Sequence, residues 1–199
     1  NIARACKGHL AVPAGKHTGT CPAAGMAVIR GYSGKEAAGI VIDSRKVEPG
    51  DIFVAIRGER VDGHQFIREV FDKGAIAVVC EEEPEELPGP CIRVEDSLAA
   101  LRQIAAFYRE QMPIPIVGIT GSVGKTSTKE FVASVLAQKY KTHKTQGNFN
   151  NEIGVPLTLL AMPEDVEAAV VEMGINHFGE MHRLSEMVKP DICVMTNIG

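Results

Sequence analysis

The chain lacks any apolar run approaching the roughly 20 residues that a bilayer-spanning helix needs. It also lacks a C-x-x-C pair, so no zinc-binding spacing is present. Its five cysteines, Cys6, Cys21, Cys80, Cys91 and Cys193, are odd in number and widely spaced. That pattern argues against a disulfide framework and for a reducing, cytoplasmic compartment. Cys80 and Cys193 sit in apolar runs and are expected as small core residues. Basic excess is missing too. Lys and Arg total 21 against 25 Asp and Glu, a net charge of −4, which removes the electrostatic case for a nucleic-acid partner. The six histidines do not cluster, and His177 and His182 miss the four-residue spacing that puts two ligands on one helix face. No basic segment followed by an apolar stretch opens the chain, so no secretory signal is visible. The first residue is Asn1 rather than Met, so a short leader is expected to be missing. What remains is an ordinary globular composition, 45% hydrophobic and 23% charged over 199 residues. That length suits one large domain or two small ones.

The chain shows no internal repeat. Residues 1–38 have poor periodicity and read as irregular or partly helical. From Gly39 the pattern sharpens. Ile40–Ile42, Ile52–Ile56, Ala75–Cys80 and Cys91–Val94 are short apolar runs between turn residues, which predicts strands. Phe66, Ile67, Val70 and Phe71 recur at helical spacing and stop at Gly74, a natural C-cap. The acidic run from Glu81 to Glu86 reads as a solvated loop. Asp96 or Ser97 can cap a helix whose stripe is Leu98, Leu101, Ile104, Ala105 and Tyr108. That helix should end before Pro113, so Gln111–Pro115 is the expected domain boundary. Beyond it come a strand over Ile116–Thr120, a glycine loop, and a helix from Lys125 to about Lys139. Further strands are expected at Ala168–Met173 and Ile192–Asn197, with a helix near Met181–Met187 between them. Alternation of this kind predicts an α/β fold with a mostly parallel sheet covered on both faces.

The strongest chemical signal is Gly118-Ile119-Thr120-Gly121-Ser122-Val123-Gly124-Lys125-Thr126-Ser127. A β-branched strand runs into a glycine loop, and a helix follows. Backbone N–H groups there can converge on phosphate oxygens, aided by the partial positive charge of the helix start. Gly121, Ser122, Val123, Gly124, Lys125, Thr126 and Ser127 are the expected ATP-binding residues. Lys125 would reach the β- and γ-phosphates and the Thr126 hydroxyl would ligate Mg²⁺. The strict phosphate-loop pattern places its first glycine where this chain has Ile119. Glu172 ends the apolar strand Ala169–Met173, and carboxyl ends of parallel strands are where ligands bind. It is the candidate second metal ligand; the bland alternative is a glutamate capping a helix.

Several segments together resemble the Mur ligase family. Thr120–Glu130 is similar to that family's ATP loop, a variant that itself lacks the first glycine. Gly147-Asn148-Phe149-Asn150-Asn151-Glu152-Ile153-Gly154-Val155-Pro156-Leu157 is similar to a segment of one branch, as are Glu172-Met173-Gly174 with Gly179-Glu180-Met181, and Thr196-Asn197-Ile198-Gly199. That branch adds D-alanyl-D-alanine to UDP-N-acetylmuramoyl-tripeptide in peptidoglycan precursor synthesis. Asp43-Ser44-Arg45, Pro49–Ala55 and Asp62-Gly63-His64-Gln65-Phe66-Ile67 resemble the family's UDP-sugar-binding domain. The resemblance spans residues 39–199. It implies a UDP-sugar-binding domain over 1–112 and the first part of a central ATP-binding domain over 113–199, with a C-terminal domain absent. It further implies a cytoplasmic enzyme, monomeric when complete.

The chemistry implied is amide formation through an acyl phosphate, with ATP and Mg²⁺ as cofactors. Lys125 and Glu172 are the expected catalytic residues, with Thr126 and Glu172 holding metal. Asn150 and Asn151 could hydrogen-bond substrate, although asparagines are equally turn formers. Asp43, Ser44, Arg45, Asp62, Gly63 and His64 are the expected contacts to the UDP end of the substrate. Arginine suits phosphate because its planar fork matches the oxygens, whereas His64 could simply cap the following helix. The 199-residue chain alone is expected to be inactive, because the domain that would hold the amine is missing. Three alternatives stand beside this. One is the sister branch that adds a single amino acid, against which the Gly147–Leu157 segment argues. Another is a phosphate-loop kinase or NTPase with an unrelated first domain, weakened by the absence of an aspartate ending the Ala168–Met173 strand. The third is a non-catalytic UDP-sugar-binding module, against which the intact Lys125, Thr126 and Glu172 argue.

Overall fold

The computed structural model describes residues 9–11, 37–58, 61–82, 84–86 and 88–198. Cys6, Cys21, Glu83, Gly199 and most of the 1–38 segment lie outside the described residues. The chain divides into two compact units, 1–104 and 105–199. The division falls inside the helix Ser97–Glu110, ahead of the Pro113 boundary expected from sequence.

In the first unit, β2 (Ile40–Val41), β3 (Ile52–Val54), β4 (Ala77–Cys80) and β5 (Cys91–Arg93) lie parallel, side by side in that order. A short strand β1 (His9–Ala11) pairs antiparallel with β5, Leu10 opposite Ile92. This corrects the irregular or partly helical expectation for that stretch. Its strand state comes from a partner some eighty residues on, which local periodicity cannot show. The strand β3 is shorter than its apolar run. Past Val54 the chain turns, and the Ile56 carbonyl accepts from the Gly63 N–H at 3.0 Å. A 3₁₀ turn, Gly63–Phe66, leads into helix α1 (Ile67–Asp72). Gly74, with φ +100°, ends it as expected: the Ala75 N–H reaches back to the Val70 carbonyl at 2.9 Å. The α1 side chains Ile67 and Val70 pack with Phe53, Ala55, Val78, Cys80 and Cys91. Each such fully buried apolar side chain is worth about 1.5–3 kcal/mol.

Helix α2 (Ser97–Glu110) starts under an Asp96 cap, whose Oδ1 accepts from the Ala99 N–H at 2.8 Å. The acidic run before it is solvated as expected at Glu82, Glu85 and Glu86, which are exposed, and Glu81 is the exception. The Glu81 side chain is mostly buried and accepts from the Ser97 N–H at 2.9 Å.

The second unit holds β6 (Ile116–Thr120), β7 (Thr142–Lys144), β8 (Ala168–Glu172) and β9 (Ile192–Met195). They form an all-parallel sheet in the order β7-β8-β6-β9. Helix α3 (Lys125–Leu136) covers one face, its Ala133 packing with Ile119 and Val170. Helices α4 (Gly154–Leu160) and α5 (Glu180–Val188) cover the other, where Val155, Leu159 and Leu184 meet Ile116, Ala169 and Val171. The central strand β8 is therefore buried throughout, alternate residues serving opposite faces. Helix α4 was not foreseen. Pro156 masks it, yet the first helical turn tolerates proline because its N–H has no intrahelical partner there. Asn151 supplies the start signal, its Oδ1 accepting from the Gly154 N–H at 2.7 Å and the Ile153 N–H at 3.2 Å.

Cys193 is exposed, contrary to the expectation of a core position. It lies on β9, which among the described residues pairs with β6 alone, and Ile192 on the same strand is 57% exposed. The connection from β6 leaves through α3 toward β7, whereas that from β8 leaves through α5 toward β9. Neighbouring strands whose crossovers depart in opposite directions create a crevice at their carboxyl ends, where ligands bind in such sheets.

Candidate functional site

The carboxyl end of β6 opens into the glycine loop at that crevice. Gly121 has φ +133° and Gly124 has φ +85°, backbone states that side-chain-bearing residues rarely adopt. The chain after β9 braces the loop. The Thr196 hydroxyl donates to the Val123 carbonyl at 2.6 Å and lies 3.2 Å from the Thr120 carbonyl. The Ser122 N–H donates to the Asn197 carbonyl at 3.0 Å. That amide is therefore engaged within the protein. Helix α3 begins at Lys125, and the N–H groups of a first helical turn have no intrahelical acceptors. The Lys125 ammonium folds over the loop, donating to the carbonyls of Gly121 at 2.6 Å and Ser122 at 3.3 Å. Thr126 and Ser127 occupy the same first turn.

Glu172, at the end of β8, is 1% exposed and lies against this turn. Its Oε1 accepts from the Thr126 hydroxyl at 3.2 Å and from the Asn150 amide at 2.8 Å. Its N–H donates to the buried Thr145 hydroxyl at 2.9 Å. Among the described residues its Oε2 has no hydrogen-bond partner, although the Lys129 ammonium stands 3.4 Å away. The structure thus brings together Lys125, Thr126, Glu172 and Asn150 from three separate segments. Asn151 has a different position: its side-chain oxygen is used on the start of α4, the turn-forming alternative. Asn150 also accepts at its backbone carbonyl from the Gly174 N–H at 2.7 Å, which ties the asparagine segment to the chain after β8. Two residues that sequence reasoning missed as site members are Lys129 and Thr196. Lys129 carried no signal in the sequence; its burial on α3 beside Ala133 is what marks it.

In the first unit the two expected clusters are each internally bonded. Asp43 caps the 3₁₀ turn Ser44–Lys46, accepting from the Arg45 N–H at 3.1 Å. The Arg45 guanidinium forks onto the same carboxylate at 2.9 and 2.8 Å while remaining 85% exposed. These hydrogen bonds, the side-chain ones foremost, pull Asp43 down to about 2 from its ordinary 3.8. Ser44 is buried and its carbonyl accepts from the Lys73 ammonium at 2.8 Å. Asp62, not His64, caps the turn Gly63–Phe66, its Oδ1 accepting from the His64 N–H at 3.0 Å. His64 is a bridge instead. Its Nε2 accepts from the Glu81 N–H at 2.9 Å, which fixes the ring proton on Nδ1, 2.6 Å from Asp62 Oδ1. Gly63 has no room for a side chain, since a Cβ would stand 2.9 Å from the Ile56 nitrogen.

The same two segments are those matched by known families. A profile described as Mur ligase family, catalytic domain, matches residues 36–109, and one described as Mur ligase middle domain matches residues 119–199. The chain belongs to the Mur ligase family. Membership of both units removes the kinase with an unrelated first domain. The UDP-N-acetylmuramoyl-tripeptide–D-alanyl-D-alanine ligase of Bacillus subtilis is 45% identical over 166 residues, 81% of this Mur ligase chain and 36% of that protein. The crystal structure of MurF from Acinetobacter baumannii matches with a TM-score of 0.84 at 35% identity, over 100% of this chain and 40% of that one. The MurF ligase from Thermotoga maritima, solved in complex with ADP, matches with a TM-score of 0.75 at 37% identity, over 80% of this chain and 37% of that one. This MurF-like chain therefore spans well under half the length of these relatives. Among its described residues no helix is long and apolar enough to cross a membrane.

Proposed function

We propose that this chain holds ATP phosphates at Gly121–Ser127 and the UDP end of a substrate on its first unit. The two serve an ATP-dependent ligase that joins D-alanyl-D-alanine to UDP-N-acetylmuramoyl-tripeptide in the cytoplasm. The observation that carries it is the Thr126 hydroxyl set 3.2 Å from a buried Glu172 carboxylate at the mouth of the glycine loop. A carboxylate is a poor electrophile, and forming an amide from it in water is uphill. Phosphorylating it gives an acyl phosphate with a good leaving group, which an amine then attacks. The first step brings two anions together, so positive charge is what the site must supply. Lys125 contributes it directly by leaving the loop carbonyls for the β- and γ-phosphates. The first-turn N–H groups of α3 add fixed dipoles that need no reorganisation.

The donor set suits Mg²⁺. A hydroxyl and a carboxylate are hard oxygen ligands, and Glu172 Oε1 lies 3.2 Å from the Thr126 hydroxyl, while Oε2 is turned to the Lys129 ammonium at 3.4 Å. Mg²⁺ usually takes one or two protein ligands and completes its shell with waters and phosphates. When bound it would supply charge neutralisation between the phosphates. Thr126 and Glu172 would hold it, and Asn150 would orient the Glu172 carboxylate through its amide. On the first unit, Arg45 is an exposed cation suited to a diphosphate, held by the Asp43 carboxylate. Asp62, Gly63 and His64 shape the turn that leads into α1.

Calorimetry on the chain with ADP and Mg²⁺, and separately with UDP-N-acetylmuramoyl-tripeptide, tests this. Binding of both ligands is expected, with Lys125→Ala abolishing only the first and Arg45→Ala weakening only the second. Absence of nucleotide binding by the wild type would overturn the ATP assignment.

A further inference from the structure

Lys129 is a fully buried lysine, with a side chain 0% exposed, on a helix face otherwise given to core packing. Burying an ammonium costs several kcal/mol of hydration unless partners replace the water. A methionine would fill the same space at no such cost. Three oxygens surround the group. The Gly147 carbonyl accepts from Nζ at 3.0 Å, Glu172 Oε2 lies at 3.4 Å, and Glu130 Oε1 lies at 3.5 Å. Glu130 is otherwise engaged by Lys144, whose hydrogen bond holds its carboxyl below the ordinary range. It is also half exposed, so the buried counter-charge to Lys129 is Glu172.

Of the two atoms Lys129 joins, one belongs to the asparagine segment and the other to the carboxylate of the candidate metal site. Gly147 opens the asparagine segment with φ +51°. Three residues later, Asn150 donates its amide to Glu172 Oε1. Thus one ammonium fixes the turn that delivers Asn150 and, from the other side, the carboxylate that Asn150 and Thr126 touch. Among the described residues, the groups that hydrogen-bond this carboxylate, Thr126 and Asn150, are neutral.

We propose that Lys129 is a positioning residue of the metal–nucleotide site. It keeps the Glu172 carboxylate aimed at the glycine loop, so that Mg²⁺ and nucleotide are taken up together. This role rests on the ATP reading given above. It does not require Lys129 to touch nucleotide or metal, and Lys125 remains the lysine that does.

The test measures ADP affinity with and without Mg²⁺ on the purified chain, using wild type, Lys129→Met, Glu172→Gln and the double variant. In wild type, Mg²⁺ is expected to tighten ADP binding. In Lys129→Met that Mg²⁺-dependent gain should fall about tenfold or more, the usual effect of removing an outer partner of a ligating carboxylate. Mg²⁺-free ADP affinity should change by less than about twofold, because the loop and Lys125 are untouched. In the Glu172→Gln background, adding Lys129→Met should change the Mg²⁺-dependent gain by less than about twofold, since the carboxylate it positions is already neutral. The double variant removes both buried charges together. It is expected to melt no lower than Glu172→Gln alone, which keeps the comparison usable if Lys129→Met alone fails to fold. An undiminished Mg²⁺ gain in folded Lys129→Met would overturn the role of Lys129 and leave the nucleotide site standing. So would a further loss in the double variant equal to that seen with native Glu172. No ADP binding by wild type under any condition would sink the nucleotide reading itself, and the role of Lys129 with it.

Discussion

Replacing Gly121 with alanine probes whether the loop is held by backbone geometry or merely tolerates it. The added Cβ would stand 2.3 Å from the Thr196 hydroxyl and 2.9 Å from both the backbone nitrogen and oxygen of Asn197. The hydroxyl could swing away, at the cost of its bonds to the Val123 and Thr120 carbonyls. The Asn197 backbone cannot move so freely. It follows directly on β9, whose Met195 is in register with Thr120, and its carbonyl accepts from the Ser122 N–H. A side chain at φ +133° adds strain of its own. Unfavourable backbone states cost about 1–3 kcal/mol and forced overpacking about the same, so a loss of roughly 3 kcal/mol in unfolding free energy is expected. Gly124 provides the control. Its φ is +85°, but a Cβ there would meet only the Thr196 Cβ, at 3.9 Å. Gly124→Ala should therefore show the backbone cost alone, about 1–2 kcal/mol. Urea unfolding followed by circular dichroism, paired with ADP binding, measures both variants. If Gly121→Ala were no less stable than Gly124→Ala and still bound ADP, the bracing of the loop by Thr196 and Asn197 would be refuted.

Three further outcomes are expected. Lys125→Ala, introduced into a complete ligase of this type, should lower kcat on the order of 10²-fold, as loss of one preorganised donor does; near-normal phosphate release would contradict its role. In Arg45→Ala, the Asp43 carboxyl should titrate closer to its ordinary 3.8 than to the about 2 set mainly by the Arg45 side chain. Because the folded value is depressed, the stabilisation it brings is complete above pH 3.8 and is lost as pH falls through about 2. Carbon NMR of the Asp43 carboxyl across pH 2–5 would check this, and an unchanged midpoint would show that the Arg45 fork is not the cause. His64→Ala should leave the Glu81 N–H without its acceptor and destabilise the first unit by about 1–3 kcal/mol. A thermal melt unchanged from wild type would mean that His64 is not the bridge its ring contacts describe.

The elements legible from sequence were those that local chemistry specifies. The run Ile116–Thr120 followed by Gly121–Thr126 admits little but strand, tight loop and helix, and that is what forms. Gly74 ended α1 because only a residue at ease with positive φ closes that turn. Helix α4 escaped because its proline falls where a helix start permits one, and strand β1 because its pairing partner is remote in sequence.

Sequence by itself determined that phosphate chemistry is available here, since glycine freedom, a lysine and a hydroxyl at fixed spacing are properties of adjacent residues. Only the tertiary structure decided which distant groups complete the site. Glu172 meets Thr126 because β8 pairs in register beside β6, setting Glu172 opposite Ile119. Asn150, not Asn151, reaches that carboxylate because Asn151 is held at the start of α4. Cys193 is exposed, although its apolar run reads like a core strand, because the helices that bury β8 on both faces do not bury β9. Lys129 shows the same division from the other side. A lysine in a helical stripe reads as surface in the sequence, and only the packing of α3 against β8 turns it into the buried counter-charge of Glu172. Chain-local patterns specify backbone states, whereas burial and charge pairing depend on which segments the sheet order brings together.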